Sequence, residues 1–368
     1  MTASRWRIAA IAGVFGLLAL VWWLAGPGPE LGPEGERGAP NRQEPIRFGD
    51  TQFQTLWINN AIAGFVIEQG YGFPVETIEM TTPIFQQSLE NGQIDIMMEL
   101  WRTNLMDWYL EVTEAGDVID LGPTYERSTQ GFFVPRYVIE GDPERDIEPT
   151  APDLRTIHDL AEHNDVFPDP DDPQRVRLLN CIIGWQCERI NDIKIHAYGL
   201  QDAINLEAPG SGAALDAAIA GAYRRGQAIA SYYWEPTWLA GTFDLVQLEE
   251  PPFTEECNAE IQRALTGEIK IETVSEQAGC AYEQIAIHKG IYRGLQERAP
   301  EVVEFLERMN VGTDALNQTA GFMETEDADA ERAALWFFEN FQDIWRDWVP
   351  GDIEERLNRA LEAAGVDL

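Results

Sequence analysis

A two-lobed α/β fold is what this chain predicts, and three observations predict it. Its 368 residues suffice for two separate cores. From Ile46 onward, strand and helix alternate as two β–α–β units within about fifty residues, the pattern of a parallel sheet that binds ligands at its carboxyl ends. Two further apolar stretches, Gly131–Tyr137 and Gln284–His288, read as strands crossing between two domains and bracketing the segment between them.

Taken in order, Arg5 and Arg7 precede an apolar run from Ile8 to Ala25 that ends in Trp22-Trp23-Leu24-Ala25. Eighteen residues at helical rise reach about 27 Å, just enough to cross a bilayer. The positive flank would hold the N-terminus in the cytoplasm. Residues 1–25 are thus expected to be a signal-anchor helix. A cleaved signal peptide is the competing reading, and no clean small-x-small cleavage site supports it. Residues 26–45 are rich in Gly, Pro and Glu and read as a solvated tether.

The folded part opens with a strand at Ile46–Gly49. A helix follows over Thr55–Gln69, with Leu56, Ile58, Ala61, Ile62, Phe65 and Val66 at helical spacing. Gly70-Tyr71-Gly72 ends it. A strand (Val75–Met80), a helix (Pro83–Glu90, stopped by Asn91-Gly92) and a strand (Ile94–Met98) come next. The middle segment holds the acidic, Pro-rich turn Phe167–Pro173 and helix–strand alternation from Ala213 to Leu248. After Lys289 the pattern is helical: Val302–Met309, Ala328–Trp348 and Asp352–Ala364. The expected division is 46–135 with 284–368 as lobe I, and 136–283 as lobe II.

Charge narrows the function. Sixty-three acidic side chains face 26 basic ones, a net charge of -37. Such a surface repels nucleic acid and anionic lipid. The basic residues are nearly all Arg, with Lys only at Lys194, Lys270 and Lys289; this balance is expected of a protein that works in concentrated salt. The four cysteines, Cys181, Cys187, Cys257 and Cys280, form two sequence-local pairs. Outside the cytoplasm they would be oxidised. Three connectivities are possible, and 181–187 with 257–280 closes the shortest loops. None of the spacings is the two-residue kind of a zinc ribbon, so no metal is expected.

Twelve tryptophans are many, and three stand where strands end. Trp101 follows the third strand in Met98-Glu99-Leu100-Trp101. Trp185 lies in Cys181-Ile182-Ile183-Gly184-Trp185-Gln186-Cys187-Glu188. Trp234 closes the apolar run of Ser231-Tyr232-Tyr233-Trp234-Glu235-Pro236-Thr237-Trp238. A large aromatic at the carboxyl edge of a strand projects into the crevice, and three together suggest a shared wall. Trp336, Trp345 and Trp348 read as packing in the last helices.

On these stretches, together with Phe243–Pro251, the chain resembles the glycine betaine/proline-betaine/choline family of ABC-importer binding proteins over about residues 46–348. The resemblance implies a type II periplasmic-binding-protein fold with a hinge between its lobes. It also implies a cage in which Trp101, Trp185 and Trp234 box a quaternary ammonium. Such a group donates no hydrogen bond, so the negative face of an indole is its natural partner, at roughly 2 kcal/mol when desolvated. By the same resemblance, the backbone N–H groups of Gln186 and Cys187 would hold a ligand carboxylate, aided by a helix N-terminus. Tyr233 is a further ligand-binding candidate, with Trp57 and Tyr125 as alternative walls.

One departure stands out. A His that assists the carboxylate in relatives is absent after Trp101, leaving Arg102 and Asn104 as substitutes. Should Glu99 or Glu235 face inward, a cation without a carboxylate is favoured: choline, or a trimethylamine-type solute, with carnitine also in range. The expected partners are an ABC permease and ATPase, with a monomer tethered to the cytoplasmic membrane and facing the periplasm or cell surface. A tethered sensor without an importer is the other reading. No cofactor is implied. The signatures of a serine hydrolase, a zinc protease and a phosphate loop are all missing, and Gly210-Ser211-Gly212 lacks the Lys of the last. No catalysis is expected.

Overall fold

The computed structural model describes residues 43–366 and Leu368; the expected anchor and all but the end of the tether lie outside them. Among the described residues no helix is long and apolar enough to cross a membrane.

Two five-stranded sheets organise the molecule. The first has the order β2-β1-β3-β10-β4, from β1 (Ile46–Asp50), β2 (Val75–Glu79), β3 (Ile96–Leu100), β4 (Val118–Tyr125) and β10 (Ile287–Tyr292). β1 runs parallel to β2 and β3, joined through α1 (Gln54–Phe65) and α2 (Thr82–Glu90), whereas β10 is antiparallel to β3 and β4. β1 and β3 are buried along nearly their whole length, as central strands covered on both faces must be.

The second sheet has the order β7-β6-β8-β5-β9, from β5 (Thr129–Pro135), β6 (Val176–Leu179), β7 (Ile204–Glu207), β8 (Ala230–Glu235) and β9 (Leu245–Gln247). β6 runs parallel to β7 and β8; β5 is antiparallel to β8 and β9. After α3 (Met106–Ala115) in the first half, α4 (Gln186–Ala197) follows β6 and α5 (Gly212–Arg224) follows β7.

The crossings differ from expectation. Gly131–Tyr137 was to be a crossing strand ending lobe I, but Thr129–Pro135 lies inside the second sheet, with Thr129 opposite Glu235 and Phe133 opposite Ser231. Its Phe132, Phe133 and Val134 are buried there, which is what fixes it as an interior strand. The chain passes between the sheets at Glu126–Ser128 and returns through Glu283–Ala286. The two passages are tied together, because the Ser128 hydroxyl donates to the Ile285 carbonyl at 2.8 Å.

The last helices return to the first sheet. α9 (Ala330–Asn340) lies against α1, with Phe338 and Phe65 rings 5.0 Å apart. α10 (Gly351–Ala363) packs on the wide helical turn Val66–Tyr71 that prolongs α1, and Arg356 donates to the Gly70 carbonyl. Between the last sheet strand and these helices come α7 (Pro300–Arg308) and α8 (Thr313–Thr325). Earlier, α6 (Glu255–Leu265) is tied by the Cys257–Cys280 disulfide to the segment just before the return passage.

Candidate ligand-binding site

At the carboxyl ends of β1, β3, β6 and β8 a cavity of about 60 Å³ opens between the sheets. One water needs roughly 10–15 Å³ measured the same way, so the space holds several waters or one small solute. Its lining includes Trp101, Trp185, Trp234, Gln186 and Cys187. Tyr233 is not part of that lining.

Local structure explains each position. Trp101 is the first residue beyond β3, where the sheet ends and the next side chain is free to turn into the crevice. Trp185 is the residue that caps α4, with extended backbone. Gly184 before it has φ +93°, open to Gly at little cost, and a Cβ there would lie 3.1 Å from the Thr81 side chain. The loop is closed by the Cys181–Cys187 disulfide, and Cys187 is itself in the first turn of α4. Trp234 belongs to β8, where successive side chains alternate between faces.

That alternation corrects the expectation for Tyr233. Tyr232 and Trp234 share the cavity face, their rings 6.2 Å apart. Tyr233 points the other way and its hydroxyl donates to Asp216 at 2.7 Å. Burial raises the Asp216 carboxyl to about 6.

The indoles of Trp185 and Trp234 stand 5.3 Å apart at 74°, edge to face. A fourth ring completes the corner. Phe53, which caps α1, lies 5.4 Å from Trp185 and 6.4 Å from Trp234, close to perpendicular to both. The wall spans the two sheets and is fastened across them. The Trp185 Nε1–H donates to the Thr51 carbonyl at 2.8 Å, and the Thr82 amide donates to the Gly184 carbonyl at 3.1 Å.

Polar groups are few. The amides of Gln186 and Cys187 lie in the first turn of α4, where helix geometry provides no carbonyl to accept them. Asn104 also reaches the cavity, but its amide exchanges hydrogen bonds with Gln130, whose Oε1 accepts from Asn104 at 2.9 Å and from the Tyr232 hydroxyl at 2.9 Å. Arg102 is turned away, donating to the Ala286 carbonyl and lying over the Tyr109 ring. Glu99 lines the cavity; Glu235 is exposed and does not. Trp57 donates to Asp50 and lines a neighbouring cavity, while Tyr125 lies beneath Glu99.

Sequence reasoning missed Phe53, Tyr232 and Gln130. Phe53 follows the end of β1 as Trp101 follows β3, so the strand-end rule that found the tryptophans applies to it equally. Tyr232 is two residues from Trp234, and strand periodicity alone pairs them. Among the described residues no group of His, Cys, Asp or Glu side chains is arranged to hold a metal.

Residues 44–340 match the family model described as the substrate binding domain of the ABC-type glycine betaine transport system. The chain belongs to this family. It is 31% identical over 209 residues to the glycine betaine-binding periplasmic protein OusX of Dickeya dadantii, across 55% of this chain and 58% of that protein. The chain therefore matches somewhat over half the length of that relative. The crystal structure of a glycine betaine, L-proline ABC transporter binding protein from Borrelia burgdorferi superposes with a TM-score of 0.65 at 20% identity, covering 85% of this chain and all of that one. An ABC-transporter choline binding protein in complex with choline gives 0.64 at 17% identity, covering 86% and 97%. These likenesses establish the two-lobed periplasmic-binding-protein fold. The family consists of substrate-binding components, and no catalytic step belongs to it.

Proposed function

We propose that this chain is the extracytoplasmic substrate-binding component of an ABC importer and captures a small quaternary-ammonium solute, glycine betaine foremost, between its two lobes. One observation supports the reading: Trp101, Trp185 and Trp234 line a single cavity together with Gln186 and Cys187, residues of the first turn of α4. The indoles suit a trimethylammonium group and the amides a carboxylate, and glycine betaine has one at each end. Trp101 comes from the first sheet, Trp185 and Trp234 from the second, so the ligand bridges the lobes and stabilises their closure. In this reading the boundary expected at 135/136 moves to follow Ser128, since Thr129–Pro135 pairs within the second sheet, which leaves 46–128 with 284–368 as lobe I and 129–283 as lobe II.

Residues 1–25 would anchor the protein as a monomer to the cytoplasmic membrane through the tether, beside its permease and ATPase. Choline is the second reading, favoured by Glu99 on the cavity wall and by the absence of a His after Trp101. Calorimetric titration of the purified full chain with glycine betaine tests the proposal. Saturable one-to-one binding in the micromolar range, absent with glycine, supports it. Silence toward both glycine betaine and choline would overturn it.

A further inference from the structure

The most deeply buried polar group on the cavity wall is an acid. Glu99, only 1% exposed, lines the same cavity as the three indoles. Its polar partners come from three elements. From α1, the Asn59 amide donates to Oε1 at 2.9 Å, and Thr55 lies alongside. From β4, the Tyr125 hydroxyl donates to Oε2 at 2.7 Å. From the strand end, Trp101 Nε1–H donates to Oε2 at 3.2 Å. Among the described residues Tyr125 is the one titratable neighbour, and burial together with the Glu99 charge holds its hydroxyl far above the neutral range. No cation among the described residues is paired with Glu99.

A buried carboxylate without a counter-ion pays heavily in desolvation. Burial raises Glu99 to about 7, against the hydrogen bonds that pull it down. Both of its states can be satisfied. The ionised form accepts the three donors just named. The protonated form needs an acceptor, and Asn59 Oδ1 is buried with no partner, ready to take an Oε1–H once that amide turns over. Among the described residues no Arg or Lys lines the cavity.

We propose that Glu99 is the counter-charge for the ligand's ammonium group, so that capture of a quaternary cation against Trp101 is coupled to release of the Glu99 proton. This rests on the quaternary-ammonium reading above. The ligand prefers the ionised carboxylate and lowers its pKa in the complex. Above about pH 7 the acid is already ionised and affinity is level. Below that, each bound ligand must displace a proton, and affinity falls by up to about tenfold per pH unit. Glu99 thereby also biases the cage toward ligands carrying net positive charge.

Choline is the probe, since it has no titratable group near neutrality. The full chain is titrated by tryptophan fluorescence at pH 6 and pH 8, and by calorimetry at pH 7 in buffers of different ionisation enthalpy. Unaltered protein is expected to bind roughly tenfold more weakly at pH 6 and to release about half a proton per ligand at pH 7. Glu99→Gln is expected to bind with one affinity at both pH values. Binding that is level from pH 6 to 8 with no proton released overturns the proposal and leaves the quaternary-ammonium reading standing. Failure to bind choline or glycine betaine at any pH overturns that reading, and this inference with it. If Glu99→Gln does not fold, the proton count on the unaltered protein decides.

Discussion

Replacing Trp185 by Ala tests the cage at the residue with the most duties. The substitution removes one indole face, worth roughly 2 kcal/mol to a desolvated ammonium. It also removes the Nε1–H bond to the Thr51 carbonyl across the cleft, worth about 1 kcal/mol net. Together these predict about 3 kcal/mol, or roughly a hundredfold weaker binding of glycine betaine. Trp185→Phe separates the two, keeping an aromatic face while losing the donor, and should fall between wild type and Trp185→Ala. Isothermal titration measures all three, and circular dichroism establishes that each is folded. An affinity for Trp185→Ala within threefold of wild type would refute the assignment of this ring as a wall.

Other expectations follow from neighbouring features. Reducing the Cys181–Cys187 disulfide, or replacing both residues by Ser, should weaken binding about tenfold or more, because the loop sets both the Trp185 ring and the first-turn amides of α4; a titration in reductant checks this against Cys257→Ser/Cys280→Ser. Tyr233→Phe should leave affinity within twofold while lowering stability by about 1 kcal/mol, since Asp216 loses a donor on the far face of β8; urea unfolding and ligand titration read the two effects separately. The acidic, Lys-poor composition predicts a midpoint of thermal unfolding that rises between low and molar salt, as screening relieves self-repulsion. A midpoint indifferent to salt in circular dichroism would count against adaptation to brine.

How much of this was legible in the sequence depended on how sharply each residue's surroundings are written into its neighbours. The β1–α1–β2–α2–β3 run was readable because apolar periods of two and 3.6 alternate there with Gly and Asn stops. The start of β3 was not. Ile94 and Asp95 look like strand, yet Asp95 is held by Arg47 and Arg298, two partners far away in the chain. α8 escaped because Thr313–Thr325 mixes small and polar residues without a clear stripe. The three tryptophans were singled out by position near strand ends together with the motifs that carry the family resemblance, and all three line the one cavity. Tyr233 was misjudged because Ala230–Trp234 is buried on both faces, and a strand without polar alternation does not announce which side faces the ligand.

The bond between Ser128 and Ile285 has a mechanical consequence. Two independent linkers could swing, twist and slide past one another, giving the lobes many ways to part. Joined at this rung, the two passages are coupled, and sliding one past the other breaks the bond. In the proposed closure this coupling would limit how far the two passages slip past each other as the lobes part, and so help the rings return to the same register. A cage assembled from walls on different bodies needs such coupling, because an indole displaced sideways by one ring width would meet the ammonium with its edge instead of its face.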